Sequence, residues 1–362
     1  MKKLFCLTIV PIFFIIIVNL VGAAREITLG GEFNTSLNAI YTEQTGFTLM
    51  PEASLDLELI LPSWKNNEFR CAGYLLTSIP ESKIEFFWKK LYWKHKFEKL
   101  HLTVGRQPVF WSFGSLLNPV DYTLGAAALE QEYSFKYQDA LEIYYPLNWN
   151  TSFTMVVSHP GQSTHWKAGL RGRTLIKGFD ITANYIQEQI GKEERDDYRW
   201  GITAKGDLGS VGVYGALGYY SREKAYSLLA GLDYSYSFPA GNQLFLQAEC
   251  LYIPSGILPG IIGSLMFVSA EEQQNNITLL VGNTTYKINE FSNIGLSTLY
   301  NYSNGSVVML PFYNDQLSTN CTIQIQGGIE TKSTFKSGVS NTNAVLNHPV
   351  NLFLKIGLNH TF

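Results

Sequence analysis

The chain has 362 residues, of which 46% are hydrophobic and 14% aromatic, and its formal net charge is −3. With 27 Lys and Arg residues against 30 Asp and Glu residues, it lacks the basic surface of a nucleic-acid-binding protein. Its four cysteines are far apart and form no paired Cys/His spacing, which excludes a disulfide framework and a zinc-binding motif. No metal or cofactor is therefore predicted.

The N-terminal residues 1–24 have the layout of a secretory signal peptide. Two lysines precede an apolar run at residues 4–18, and the small residues of positions 22–24 follow it. An uncleaved membrane anchor is the alternative interpretation. The small residues at positions 22–24 favour cleavage, which leaves residues 25–362 as a single domain.

After this segment, the chain contains no apolar run of the ~20 residues that a transmembrane helix needs. The nearest run, residues 257–268, is too short and contains Pro259, Gly260 and Gly263. The high hydrophobic content therefore predicts either a large soluble β-protein or a chain that crosses a membrane as strands of about 9 to 11 residues.

Apolar and polar residues alternate along most of the chain, which is the period of a β-strand. Residues 26–41, for example, place Leu29, Phe33 and Leu37 on one face and Glu32 and Asn34 on the other. The pattern predicts eighteen strands, near residues 26–41, 46–61, 68–79, 83–94, 99–106, 136–146, 149–158, 164–174, 178–188, 197–206, 210–221, 224–236, 242–252, 276–288, 292–302, 305–314, 319–330 and 350–362.

Three predicted connections are long: residues 107–135, 253–275 and 331–349. Each follows an odd-numbered strand, so all three fall on the same side of an antiparallel sheet. Outer-membrane barrels have this asymmetry, with an even strand number, short periplasmic turns and long extracellular loops. We predict an all-β fold: a single antiparallel transmembrane β-barrel of about 18 strands, with 16 as the alternative and both termini periplasmic.

A soluble β-sandwich also alternates in this way, because antiparallel sheets commonly have one wet face. Eighteen apolar faces would need several sandwich domains, and the sequence contains no linker rich in Pro, Ser or charge between them. The pattern therefore favours one barrel.

The last predicted strand ends on an aromatic residue. Phe362 follows the alternating apolar residues Leu352, Leu354, Ile356 and Leu358. This segment resembles the C-terminal strand of bacterial outer-membrane β-barrel proteins, although His360 departs from the usual apolar choice. The resemblance implies a location in the bacterial outer membrane, contact with outer-membrane lipid, and recognition of Phe362 by the barrel-assembly machinery. It also allows a homotrimer.

Charged residues on the polar faces of the predicted strands are expected to line the lumen. The basic candidates lie on the eighth and tenth strands and are Lys167, Arg171, Arg173, Arg199 and Lys205. The acidic candidates lie on the first two strands and are Glu32, Glu52, Asp56 and Glu58. Since these two sets are nearly opposite in a ring of eighteen strands, the pattern predicts a transverse electric field that filters ions.

The long connection that begins at Gln107 is too apolar for a solvated surface loop. Its candidate constriction residues are Arg106, Phe110, Trp111, Phe113, Asn118 and Asp121. Its Gly-Arg-Gln, Trp and Asn-Pro-Val-Asp elements resemble a stretch of porin-like barrels. In general porins the third loop folds inward and constricts the channel. An external lid packed on neighbouring loops is the alternative.

The main functional hypothesis is an outer-membrane, porin-like channel for passive diffusion of small hydrophilic solutes or ions. A surface adhesin or receptor barrel, acting through the three long loops, is the second hypothesis. A barrel-embedded hydrolase is the third, but no recognisable Ser and His arrangement predicts a catalytic site. We therefore predict no enzymatic activity.

Overall fold

The computed structural model describes residues 27–42, 46–78, 83–109, 111, 121–122, 137–159, 166–188, 197–255, 276–303, 305–332 and 351–362. The predicted signal peptide lies outside these residues, as do the loop candidates Phe110, Phe113 and Asn118. No α-helix of the described chain is long and apolar enough to cross a membrane.

The described residues form eighteen β-strands, and each of the predicted segments overlaps one of them. The strands are β1 (Thr28–Thr42), β2 (Gly46–Ile60), β3 (Asn67–Ser78), β4 (Lys83–Lys96), β5 (His101–Pro108), β6 (Tyr137–Pro146), β7 (Thr151–His159), β8 (Lys167–Ile176), β9 (Phe179–Glu188), β10 (Asp197–Leu208), β11 (Val211–Tyr220), β12 (Ala225–Ser237), β13 (Gln243–Ile253), β14 (Ile277–Lys287), β15 (Ser292–Asn301), β16 (Ser306–Ser318), β17 (Cys321–Lys332) and β18 (Asn351–Thr361).

The strands form one closed sheet. Each strand pairs antiparallel with its neighbours in the sequence, and β1 also pairs with β18, for example at Leu37 and Ile356. Because a closed barrel has no free edge, every strand has a partner on both sides. The predicted antiparallel 18-strand barrel is confirmed.

The two ends of the barrel differ. At one end, the short-turn end, consecutive strands are joined by residues 61–66, 97–100, 147–150, 177–178, 209–210, 238–242, 288–291 and 319–320. The other end, the long-loop end, carries the connections 109–136, 254–276 and 333–350. As the sequence predicts, the three long connections share one end.

A two-residue turn shows why the short-turn end is compact. Lys177 and Gly178, between β8 and β9, have φ angles of 50° and 85°. Two consecutive positive φ angles are the geometry of a type I′ turn, whose twist matches that of the flanking strands.

The outer face of the barrel is apolar. On β1, Leu29, Phe33 and Leu37 are 60%, 43% and 45% exposed, whereas Glu32, Asn34 and Ser36 face inward. The same alternation continues through register partners such as Leu170, Tyr185 and Trp200 on β8, β9 and β10. A contiguous apolar outer band of this kind is what a bilayer requires.

One irregularity lies in β4. The pairing with β3 steps from Ala72 opposite Lys90 to Gly73 opposite Trp88, which leaves Lys89 as an extra residue. Such a β-bulge re-aims side chains. Here both Lys89 and Lys90 reach acidic residues on the inner face of β2.

Candidate functional site on the inner wall

The structure places all nine predicted lumen residues on the inward face of their strands. The basic residues of β8 and β10 alternate with outward residues such as Leu170 and Ile202, which are 55% and 50% exposed. The acidic residues of β1 and β2 alternate with outward Leu29 and Leu49. Their role in lining a pore stays a prediction, but their location meets its first requirement.

Part of the connection between β5 and β6 lies inside the barrel. Val109, Trp111 and Tyr122 are buried in one cluster with Ala140 of β6, Val156 of β7 and Ile186 of β9. The Trp111 and Tyr122 rings meet edge to face, with their centroids 5.2 Å apart. These residues of the connection pack against the inner face of β6, β7 and β9, and we call Trp111, Asp121 and Tyr122 the inner segment. The constriction itself stays a prediction.

Gly169 of β8 provides the surface on which the inner segment rests. A Cβ atom at this position would lie 2.7 Å from the Trp111 ring and 2.8 Å from the Tyr122 ring. The absence of a side chain therefore allows both rings to lie directly on the strand.

Hydrogen bonds fix the inner segment to the wall. The Tyr122 hydroxyl donates to the Lys167 carbonyl oxygen at 2.9 Å and lies 2.8 Å from the Ser158 hydroxyl. Within the segment, the Trp111 N–H donates to the Asp121 carboxylate at 2.8 Å. These contacts use the polar groups that burial would otherwise leave without partners.

Arg199 of β10 is the main charged contact of the inner segment. Its Nη2 atom donates to the carbonyl oxygens of Asp121 and Tyr122, at 2.6 and 2.5 Å. Lys167 also lies against the segment, with its Nζ atom 4.9 Å from the centre of the Tyr122 ring. Two of the predicted basic lumen residues therefore hold the segment in place.

Burial shifts the pKa values of two side chains in the inner segment. It raises the pKa of the Asp121 carboxyl, while the Trp111 N–H and the charge of Arg199 act in the opposite direction. It also raises the pKa of Tyr122 to about 12. The Tyr122 hydroxyl therefore stays protonated near neutral pH and remains a hydrogen-bond donor.

We expect Arg199→Gln to release the inner segment, because a glutamine amide is too short to reach both carbonyl oxygens and carries no charge. Each lost charge-assisted hydrogen bond is worth about 1.5 to 3 kcal/mol. Limited proteolysis of the refolded protein should then cut between residues 109 and 136 faster than in the wild type. Arg222→Gln, in the exposed turn between β11 and β12, is the matched control. Equal cleavage of all three proteins would contradict this role of Arg199.

The three basic candidates on β8 differ in their ion-pair partners. Arg173 pairs with Asp180, with Nη2 and Oδ2 2.6 Å apart, and Lys167 pairs with Glu188 at 3.5 Å. Arg171 has no ion pair in the described chain, and its Nε atom is buried without a hydrogen-bond partner there. Arg171 is therefore the least compensated charge of β8.

Two of the acidic candidates form ion pairs that the sequence analysis did not predict. Asp56 pairs with Lys89, and Glu58 pairs with Lys90 at 3.1 Å and with Arg70 at 3.7 Å. Sequence reasoning missed both lysines, since strict alternation puts only one of two neighbouring residues inside. The signal was present: in Phe-Phe-Trp-Lys-Lys-Leu-Tyr-Trp the apolar positions change parity, as at a bulge.

Two acidic candidates have no basic partner in the described chain. Glu32 accepts hydrogen bonds from the amides of Asn34, at 2.8 Å, and Asn359. Glu52 forms no ion pair within the described residues. The acidic side of the barrel therefore keeps two uncompensated carboxylates on β1 and β2.

Three of the six loop candidates lie within the described residues. Arg106 lies in β5, where its Nε atom donates to the Trp88 carbonyl oxygen at 2.6 Å and its guanidinium lies 3.4 Å from Asp139. Trp111 and Asp121 contact each other through the Trp111 N–H.

No family model and no curated protein matches the chain. Solved structures do match it over nearly its whole length. Escherichia coli Wzi, described as a carbohydrate-binding outer-membrane β-barrel, is 13% identical with a TM-score of 0.59, over 94% of this chain and 86% of Wzi. Pseudomonas aeruginosa OpdL is 8% identical with a TM-score of 0.59, over 93% and 99% of the two chains.

Pseudomonas putida OprB is 9% identical, with a TM-score of 0.53 over 95% of this chain and 96% of OprB. Identities this low show a shared fold and nothing finer. The chain therefore has the fold of outer-membrane, porin-like β-barrels, as its sequence predicts.

Proposed function

We propose that the chain is a bacterial outer-membrane channel through which small hydrophilic solutes or ions diffuse passively. The observation that carries this proposal is the closed 18-strand barrel with an apolar outer face and a polar inner face. A barrel of this size encloses a lumen wide enough for water, whereas eight strands leave room for side chains alone.

In this proposal the long-loop end faces the outside of the cell. β1 begins and β18 ends at the short-turn end, which then faces the periplasm with both termini. This orientation follows the rule that outer-membrane barrels have short periplasmic turns and long external loops. Residues 1–24 are then a cleaved signal peptide, and the barrel-assembly machinery and outer-membrane lipid are the expected partners. A homotrimer remains a proposal of the same kind.

The inner segment is proposed as the constriction of this channel. Trp111, Asp121 and Tyr122 occupy the lumen near the long-loop end and are fully or almost fully buried. Phe110, Phe113 and Asn118, which the sequence predicts for the same constriction, lie outside the described residues. Lys167, Arg171, Arg173, Arg199 and Lys205 form its basic wall, and Glu32, Glu52, Asp56 and Glu58 line the opposite side.

A non-enzymatic role is part of this proposal. The second candidate is a receptor or adhesin that binds through its long loops. The grouping of the three long connections at one end of the barrel favours it.

Planar-bilayer recording distinguishes the two candidates. We expect the refolded protein to produce discrete conductance steps in KCl solution, because water and ions fill a barrel of this size. Heat-denatured protein at the same concentration is the control. If the folded protein never produces steps, it is not an open channel, and the receptor hypothesis is favoured.

A further inference from the structure

The inner wall is covered unevenly around the barrel. On β11–β16, most inward side chains in the half nearest the long-loop end are buried, and Leu229, Leu251 and Leu279 have no exposed surface. Neighbouring inward residues such as Ile277 and Val308 are 2% and 6% exposed, whereas Leu299 and Leu310 are partly exposed. Water does not reach the buried residues of this wall.

We call the buried inward residues of β11–β16 the covered wall. Its polar side chains form hydrogen bonds with other groups of the protein. Tyr214 lies across Gly231 and donates its hydroxyl hydrogen bond to Glu249, which is 3% exposed. Gln247 donates to the Tyr214 oxygen at 2.7 Å and accepts a hydrogen bond from Asn283 at 2.9 Å. These side chains are occupied with one another, as expected for a wall that does not face a solute.

The wall that adjoins these strands is accessible. We call the inner face of β17, β18, β1 and β2 the seam, because β1 and β18 close the barrel there. Among its described inward residues only Ser54 and Gly328 are buried. The seam is three strand spacings wide, or roughly 14 Å at about 4.8 Å per spacing.

The seam is lined mainly by amides and hydroxyls. Register partners bring its inward residues into rows across the strands. One row contains Gln326, Lys355 and Asn38, the next contains Gln324, Gly357, Ser36 and Glu52, and the third contains Thr322, Asn359, Asn34 and Ser54. The seam also carries charged residues: Asp56 and Glu58 pair with basic residues of β3 and β4, and Glu32, Glu52 and Lys355 lie at separate register positions.

From these observations we propose that solutes cross the barrel along the seam, and that the seam selects uncharged, polyhydroxylated solutes. Amide and hydroxyl side chains both donate and accept hydrogen bonds, so they replace the hydration of a polyol at many successive positions. Several weak sites in series allow a solute to enter and also to leave. This inference rests on the proposed channel function and names the path and substrate class of that channel.

Gly357 makes the path testable. Its φ angle is not positive, and an added Cβ atom would have only ordinary contacts, at 3.6 Å from the Thr35 oxygen and 3.9 Å from the Gln324 oxygen. A cysteine at this position therefore fits the strand and points into the seam. The native cysteines 71, 250 and 321 lie on outward positions and can be replaced by serine.

The experiment uses single-cysteine variants of the refolded full barrel, treated with a water-soluble, membrane-impermeant trimethylammonium thiosulfonate. Gly357→Cys and Ser36→Cys should gain the full mass of the label. Leu229→Cys and Val308→Cys, on the covered wall, should remain unlabelled under the same exposure. A resistant core after trypsin treatment confirms that each variant is folded, since unfolded chains label at every cysteine.

Transport measurements on the labelled proteins complete the test. Labelling of Gly357→Cys should reduce both single-channel conductance and the rate at which mannitol enters liposomes, and labelling conditions should change neither in the Leu229→Cys protein. Labelling of the covered wall, or full labelling of the seam with unchanged transport, would overturn the path. Loss of conductance with unchanged mannitol entry would overturn the substrate class. If no variant conducts, the channel function itself has failed, while the labelling pattern still reports on the seam.

Discussion

Deleting Phe362 should reduce the amount of assembled barrel at least tenfold. Its main-chain N–H and carbonyl oxygen exchange hydrogen bonds with Gly31, at 3.0 and 3.1 Å, and thereby extend the closing pair of β1 and β18. The Phe362 ring also covers Gly31, where a Cβ atom would lie 2.5 Å from the ring. Two hydrogen bonds at about 0.5 to 1.5 kcal/mol each, with part of an aromatic side chain, exceed the ~1.4 kcal/mol that corresponds to a factor of ten.

The measurement is the fraction of protein that reaches the outer membrane in a heat-resistant, folded form. Phe362→Tyr retains the ring and the main-chain bonds and should assemble normally. Thr361→Ala is the matched control, because the Thr361 N–H bond to Asn320 is a main-chain contact that the substitution keeps. Wild-type levels of the protein lacking Phe362 would show that closure does not depend on this residue. An equal loss in Thr361→Ala would show that the effect is not specific.

The strand pattern was predictable because it depends on local spacing. Alternation on β1 and β18 places Leu37 and Ile356 on the same face, and the structure pairs these two residues directly across the closure. A single missed strand would have reversed the side of each later loop. The observed sharing of one end by the three long connections shows that the count was right.

The contacts of the bulge in β4 were the first feature that local spacing could not reveal. Alternation continued from Phe86 and Trp88 assigns Lys90 to the lipid, where a charge is costly, and alternation counted back from Leu91 and Trp93 assigns Lys89 there instead. The structure satisfies both with the carboxylates of Glu58 and Asp56. Only knowledge of the partner strand, some 30 residues earlier in the chain, identifies these contacts.

The inner segment was the second such feature. Its composition left an inward constriction and an external lid as equal alternatives. The contacts that place its described residues are long-range: Arg199 is 77 positions from Tyr122, and Gly169 makes room for the Trp111 and Tyr122 rings because it has no side chain. Neither residue differs in the sequence from an ordinary strand position.

The Arg173–Asp180 and Asp56–Lys89 ion pairs change what we expect of the predicted transverse field. We propose that Arg171→Gln with Arg173→Gln shifts the channel toward cations, because one uncompensated cation is lost and Asp180 loses its partner. Glu52→Gln with Asp56→Asn should shift it toward anions, because Glu52 is lost and Lys89 loses its partner. One unit charge about 4 Å from an ion changes its energy by about 1 kcal/mol in water-like surroundings. That energy corresponds to about a fivefold change in the permeability ratio.

The Asp56→Asn substitution also affects stability, since Lys89 has only 8% of its side chain exposed. Removing one partner of a buried pair is strongly destabilising. Glu52→Gln alone is therefore measured beside the double variant, because Glu52 forms no ion pair in the described chain. A shift toward anions in Glu52→Gln separates the effect of charge from any effect on folding.

Reversal potential under a KCl gradient measures these shifts. Lys224→Gln is the control, because Lys224 lies in an exposed turn at the long-loop end. At physiological salt its charge is screened over the ~8 Å Debye length, so the control should leave the reversal potential unchanged. Opposite shifts in the two double variants would support the transverse field. Unchanged potentials in both, with conductance intact, would mean that β2 and β8 do not line the narrow zone, and the selectivity of the channel would then be assigned to the connection at residues 109–136.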